Sequence, residues 1–348
     1  MESYEVIIIG VGPAGLACAR KLAELNLPQF GEKGKRILLL EKNSVIGPKV
    51  CAGGIPSFVV DHFKLPEELW DFKFDEITFH TPLQSRALKL EGPFYTINRR
   101  NLGQWQLRKL ENTNVKVRVN ARATKIEKDH IIINDSEKIQ YKYLVGADGA
   151  NSSVRKFLGL RTKKFLLAVQ YIIPTDAYKK IEVFFYPELI DMGYIWIFPH
   201  KGYVSIGCGT EPGSYSSKEL VAGFEKWLKL NKIDVSKGKF EAFTINYDYQ
   251  GYRSGNIFLV GDAAGLAAGL TGGGIYQALL SGEEIAKAIA DEKYVSNKMK
   301  ELLLGNKKQN ATLWLMEKSK IFLRLEMELF LLILKSKWLS KHLVRKMM

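Results

Sequence analysis

Residues 4–23, YEVIIIGVGPAGLACARKLA, limit this chain to a small set of folds. The β-branched run at 6–9 is too short for a helix and too apolar for a surface loop, so it reads as a buried parallel strand. It leads into Gly10, Gly12 and Gly15, the G-x-G-x-x-G spacing of a strand that turns into a helix. In such a turn the first glycine permits the tight bend. The second lets main chain approach a pyrophosphate, and the third lets the helix pack closely on the strand. The helix expected over 16–25 presents free N–H groups and its positive dipole end to those phosphates.

A second apolar strand at 37–40 ends on Glu41, where an acceptor for a ribose hydroxyl is expected. The usual separation is about 20 residues, and here it is longer. A polar, glycine-containing insert at 29–36 accounts for the difference. A negative residue at this place disfavours a 2′-phosphate, so the adenosine belongs to FAD or NAD rather than NADP.

The 348 residues suffice for two domains with a large buried core, and hydrophobic and charged fractions of 46% and 25% are those of a globular protein. The formal net charge is +14, and its excess lies in the tail: residues 293–348 carry thirteen Lys/Arg against four acids, a balance of +9. Because this basic tail is also rich in Leu, Phe, Ile and Trp, it favours an anionic membrane surface over nucleic acid. Cys18, Cys51 and Cys208 are too far apart for a disulfide framework or a zinc site, which fits a reducing, cytoplasmic compartment and no metal. No signal peptide is expected ahead of a strand that starts within a few residues of Met1. The apolar run at 329–334 falls far short of the ~20 residues needed to span a bilayer, so membrane association would be peripheral.

Further along, a glycine-rich loop at 47–56 carries the thiol of Cys51, 58–70 reads as helical, and 72–90 as short alternating strands. Residues 98–102 lead into a helix, and 115–119 with 131–133 alternate like a small antiparallel sheet. An apolar strand at 143–147 turns at Asp148 and Gly149 into a helix at 152–158. Aromatic-rich strands fill 165–209, an amphipathic helix 219–230, and a strand 240–252. A third buried strand reaches Gly261 and Asp262, a second glycine-rich loop covers 269–274, and a helix follows at 275–290.

Together these pieces resemble the flavoprotein family that includes p-hydroxybenzoate hydroxylase, and within it the geranylgeranyl reductases. Three motifs in order carry the resemblance over about the first 290 residues: the fingerprint at Gly10, Gly12, Gly15 and Glu41; the Asp-Gly pair in GADGANSSVR at 146–155; and Gly-Asp in GDAAG at 261–265. The resemblance implies an α/β (α+β overall) architecture. A Rossmann-like FAD-binding domain at 1–60, 96–164 and 254–292 is interleaved with an antiparallel-sheet substrate domain at 61–95 and 165–253, and a C-terminal helical segment follows at 293–348. Implied contacts to FAD come from Ala14, Lys42, Ala52, Gly53, Ala123, Asp148 and Gly149 beside the fingerprint. Asp262 sits at a strand's carboxyl end, ready to accept from a ribityl hydroxyl; Gly272, Gly273 and Gly274 let main chain approach the isoalloxazine. Arg99 falls where family members touch the phosphates or ribityl chain, although Gly103 stands where an Asp usually follows. Arg155 reads as a solvated helix charge.

Two motifs narrow the subfamily. YIWIFP at 194–199 with Gly207-Cys208-Gly209 is similar to the Y-x-W-x-F-P…G-x-G signature of geranylgeranyl reductases, and Lys49-Val50-Cys51-Ala52-Gly53-Gly54 to their K-x-C-G-G-G-type loop, with Ala52 replacing a glycine. On a strand Tyr194, Trp196 and Phe198 share one face, an apolar wall suited to binding an isoprenoid chain. The resemblance implies an FAD-dependent reductase that saturates C=C bonds of prenyl lipids. An isolated trisubstituted alkene is not electrophilic, so hydride from the flavin N5 needs a proton donor beside it. Cys51 is the candidate donor, with Tyr194 and Trp196 stabilising cationic character. No second G-x-G-x-x-G is present, so electrons come from transiently docked NAD(P)H, a ferredoxin-like protein or a quinol. Two other readings are an aromatic or quinone-precursor monooxygenase of the same fold and a non-catalytic lipid-binding flavoprotein. In the tail, Trp314, Leu315, Ile321, Phe322, Leu325, Leu329, Leu332 and Ile333 recur at near-helical spacing among Lys318, Lys320, Arg324, Lys335, Lys337 and Lys341. A tunnel cap, a membrane-docking face and a dimer contact all satisfy that pattern.

Overall fold

Val6 to Ile9 are wholly or almost wholly buried because their strand lies inside a parallel sheet with a neighbour on each side. The computed structural model describes residues 2–25, 37–212 and 216–334. Two compact units divide the chain: Met1–Lys49 with Arg100–Phe165 and Ile245–Ala311, and Val50–Arg99 with Leu166–Thr244 and Thr312–Met348.

In the first unit, five parallel strands run in the order Ile257–Leu259, Glu137–Gly146, Glu2–Ile9, Ile37–Leu40, Val115–Arg118. Strands Ala123–Ile126 and His130–Ile133 join Glu137–Gly146 in antiparallel fashion, and Arg253–Ser254 borders the other edge. Helices Pro13–Leu25 and Ile275–Ala290 supply Leu16, Leu22, Ile285 and Ile289 to the core that covers this sheet. They touch through main chain: a Cβ on Gly282 would lie 2.3 Å from the carbonyl oxygen of Ala14. The insert at 29–36 lies outside the described residues.

The second unit holds an eight-stranded sheet among its described residues, mostly antiparallel, with Tyr194–His200 between Tyr203–Thr210 and Glu182–Phe184. Helix Ser217–Leu230 packs Leu220, Phe224 and Trp227 on it, and a capping box between Ser216 and Glu219 fixes where that helix starts. The stretch read as short strands at 72–90 forms two long ones instead, Trp70–His80 and Ser85–Ile97. Register shifts between Trp70/Phe72 and Phe74/Glu76 interrupt the alternation, so a period-2 pattern breaks where the strand itself continues. Helix Leu323–Ile333 belongs to this unit: the Glu328 carboxylate accepts from Thr81 Oγ1 (2.7 Å), Gln84 Nε2 (2.9 Å) and the Leu83 amide (3.2 Å), and the Phe330 ring meets Phe79 and Phe185 edge-on. Lys335, Lys337 and Lys341 lie outside the described residues. No helix among the described residues is long and apolar enough to cross a membrane.

Gly282→Val should drive the two helices of the first unit apart and cost about 1–3 kcal/mol, as overpacking does. Calorimetry checks this as a lowered melting temperature; an unchanged one would mean that the helix contact tolerates a side chain.

Candidate cofactor and substrate site

The carboxyl ends of the parallel strands form a continuous row. The Gly10 amide donates to Leu40 O (2.8 Å), Glu41 to Arg118 O (2.9 Å), Ala147 to Ile9 O (2.8 Å) and Val260 to Gly146 O (3.0 Å). Residues 10, 41, 147 and 260 therefore leave the sheet side by side, at the edge where open α/β sheets bind ligands. Gly261 joins the fingerprint directly, since a Cβ there would lie 3.3 Å from Ala14 Cβ.

Each fingerprint glycine has a measurable reason. Gly10 has φ +102°, and a Cβ would lie 2.4 Å from Ala147 O; on Gly15 it would lie 2.1 Å from Gly10 O. On Gly12 it would meet nothing within 4 Å. Main chain thus closes in behind the turn and leaves Gly12 open in front of helix Pro13–Leu25, the arrangement that makes a helix N-terminus receptive to an anion. Pro13 begins the helix without wasting a donor.

Glu41 accepts from the Val11 amide (3.2 Å) and the Asn43 amide (3.0 Å), which turns its carboxylate along the sheet edge. Lys42 is exposed beside it, and Ala123 is half-buried at the start of its strand. Asp148 Oδ2 accepts from the Ser153 amide (2.6 Å) and hydroxyl (2.7 Å), while buried Oδ1 has no partner among the described residues. Gly149 follows with φ +80° and nothing within 4 Å of its Cβ position. Asp262 accepts from Lys49 Nζ at 3.0 Å and has its main-chain oxygen held by Asn246. Gly272, Gly273 and Gly274 precede helix Ile275–Ala290, whose first turn carries no side-chain cap and no acid. Two helix N-termini, an open glycine and an orphaned carboxylate oxygen fit an extended dinucleotide that carries a central anion.

Gly103 is explained by the same unit. A Cβ there would lie 2.4 Å from Gly47 Cα, so the loop that brings Lys49 to Asp262 packs directly on the helix. Arg155 corrects its sequence reading. It is 1% exposed, donating to Asp248 O (2.6 Å) and Ala263 O (3.4 Å), and so ties the turn after Gly261 to the 246–250 loop.

Cys51, Ala52, Gly53 and Arg99 belong to the second unit, with Tyr194, Trp196 and Phe198. Arg99 opens helix Arg99–Arg108, and its Nε is buried without a hydrogen-bond partner among the described residues. Cys51 is half-buried, and its Sγ accepts from the Gly53 amide at 3.4 Å. Cys18 and Cys208 are fully buried, which pushes the Cys18 thiol up to about 12 and raises that of Cys208; both act as packing groups. Ile195 and Ile197 face Phe224 and Trp227 in the core, which turns Tyr194, Trp196 and Phe198 to the opposite face. The cross-strand partners of Tyr194 and Trp196 are Gly209 and Gly207, and a Cβ on Gly207 would lie 2.4 Å from Trp196 Cζ2. The two halves of the signature thus meet at one pair: Gly207 leaves room for the Trp196 ring on the next strand. Trp196 Nε1 donates to Ser205 Oγ (2.9 Å), which donates to Gln170 Oε1 (3.1 Å), and this fixes the indole. Burial, followed by the nearby Cys51, pushes the Tyr194 phenol up to about 12, so it stays protonated.

Fold and site together define a flavin-dependent oxidoreductase. Residues 106–292 match the family described as FAD binding domain, and residues 4–180 that described as pyridine nucleotide-disulphide oxidoreductase. The chain belongs to this FAD-binding family, and the resemblance read from its motifs is borne out. It is 27% identical to digeranylgeranylglycerophospholipid reductase of Methanococcus vannielii over 84% of this chain and 79% of the relative. Identity to the geranylgeranyl diphosphate reductase of Rhodobacter capsulatus is 26%, over 82% of this chain and 74% of the relative. A solved geranylgeranyl bacteriochlorophyll reductase-like protein from Thermoplasma acidophilum has the same fold, with TM-score 0.73, 22% identity, and coverage of 98% and 90% of the two chains.

Sequence reasoning missed Lys49 as the partner of Asp262, and missed His200 and Asp71. His200 directly follows the quoted signature at Pro199; nothing local marks Asp71. Glu41→Ala should weaken FAD binding tenfold or more, since a hydrogen bond to a charged group contributes about 1.5–3 kcal/mol. Fluorescence titration of the apoprotein reads this, and an unchanged affinity removes Glu41 from the site.

Proposed function

We propose that this FAD-dependent oxidoreductase saturates isolated C=C bonds in the prenyl chain of a lipid. The observation that carries the reading is the row Tyr194, Trp196, Phe198 on one face of its strand, with the Trp196 ring against Gly207, in the unit that holds the Cys51 loop. The names of the archaeal and bacterial relatives support the same substrate class. When bound and reduced, FAD supplies hydride. Cys51 Sγ gives its proton to the alkene carbon that does not receive that hydride. The faces of Tyr194 and Trp196 offset the cationic character that results, by about 0.5–2 kcal/mol per ring. Tyr194 serves this purpose because its phenol stays neutral. In the first unit, Asp262 holds the cofactor's ribityl chain. Electrons reach the flavin from NAD(P)H, a ferredoxin-like protein or a quinol, each docking transiently.

The tail's outer surface fits a peripheral site on an anionic bilayer. Glu328, Phe330 and Leu331 hold helix Leu323–Ile333 to its unit, while Leu325, Leu329 and Leu332 are exposed and Ile321 is 93% exposed. Lys318 and Arg324 flank them, the arrangement of a helix lying in a lipid interface.

Anaerobic incubation of the reduced protein with digeranylgeranyl glycerolipid, menaquinone or geranylgeranyl diphosphate should add one H2 per double bond, read by mass spectrometry. Substrate-stimulated oxygen consumption without that mass gain would establish a monooxygenase instead. Cys51→Ala should keep its FAD and lose about 10²–10⁴-fold in alkene reduction, the usual range for a general acid. Full activity in this variant removes the thiol from the reaction. The double variant Ile321→Glu/Leu325→Glu should no longer float with phosphatidylserine-containing vesicles yet still reduce detergent-dispersed substrate; retained flotation rules out this face.

A further inference from the structure

The loop bearing Cys51 rests on a buried ion-pairing group with no assigned part in the reaction. His200 is 2% exposed and lies between two acceptors: Nδ1 is 2.7 Å from Asp71 Oδ2, and Nε2 is 2.9 Å from the carbonyl oxygen of Ala52. A carbonyl only accepts, so Nε2 carries a hydrogen. Carboxylate and Nδ1 then need a second proton between them. The pair holds that second proton between Nδ1 and Oδ2, while Nε2–H faces the Ala52–Gly53 peptide. That same peptide unit donates, through the Gly53 N–H, to Cys51 Sγ at 3.4 Å.

The contact is built to one geometry. Gly53 has φ +77°, and a Cβ there would lie 2.5 Å from Ile97 O and 2.7 Å from His200 Cε1. Its carbonyl accepts from the Ile97 amide at 2.8 Å. Tyr203 stacks on the imidazole at 4.4 Å and 4°, so the ring cannot tip away from the peptide. Besides Asp71, the titratable groups around His200 are Tyr203, whose phenol burial raises, and Cys51 across the peptide; Lys201 turns to Trp70 O.

We infer that Asp71 and His200 are positioning residues for Cys51, holding and polarising the Ala52–Gly53 peptide so that its N–H stays on the sulfur. Donation into an amide carbonyl strengthens the N–H of the same amide, and donation to sulfur favours the thiolate left after proton release. Only the bearing on alkene reduction rests on the function proposed above; the network itself does not.

Iodoacetamide alkylation of the full-length FAD-loaded protein tests it, because the thiolate is the reacting form and Cys18 and Cys208 are fully buried. Cys51→Ala sets the background. Asp71→Asn keeps a partner on Nδ1 and leaves Nε2–H on Ala52, but removes the second proton. It should slow Cys51 alkylation several-fold at neutral pH with unchanged FAD content and melting temperature, and His200→Leu should slow it about tenfold, the worth of one charge-assisted hydrogen bond. A purely structural role predicts the opposite sign, since a loosened loop exposes the thiol. An unchanged or faster rate in Asp71→Asn overturns the inference. Slower alkylation together with full alkene reduction by Cys51→Ala would uphold the network and refute the proton-donor reading.

Discussion

Main chain lying against main chain is the condition on which the first unit depends. Gly10 is pressed on Ala147, Gly15 on Gly10, and Gly282 on Ala14, each at a separation that leaves no room for a Cβ. These approaches align the strand ends in a row and bring the Gly261 turn against Ala14. The open face at Gly12 exists because its neighbours are closed. A glycine pattern that looks like three equal positions in sequence is, physically, two walls and a window.

Much of this was legible because it is local. A β-branched run, a glycine spacing and an acid after the next strand are read within 41 residues, and each strand-to-turn motif reports on its own carboxyl end. The signature at 194–199 and 207–209 was also readable, because period-2 alternation assigns Tyr194 and Trp196 to one face. What the spacing could not reveal is that the two halves are cross-strand partners, since register is a property of pairing and not of either strand.

The polar contacts were not legible, for a common reason. Lys49 and Asp262 are separated by 213 residues, and Asp71 and His200 by 129. Arg155 and Asp248, 93 apart, meet only once the fold has formed. A charge on a short helix looks solvated until its neighbours are known, which is why Arg155 read as a surface residue. The bulged strand Trp70–His80 failed differently: its irregular register mixed the two faces, so the alternation that marks a strand was lost within a strand of eleven residues.

The pairing of Trp196 with Gly207 couples two positions that otherwise look independent. A Cβ at 207 would lie 2.5 Å from the carbonyl oxygen of Val169 as well as 2.4 Å from Trp196 Cζ2, so loss of bulk at 196 alone would not make room for a side chain there. Variation in the contour of that face is therefore left to the strand that carries the rings, while the position opposite Trp196 stays glycine.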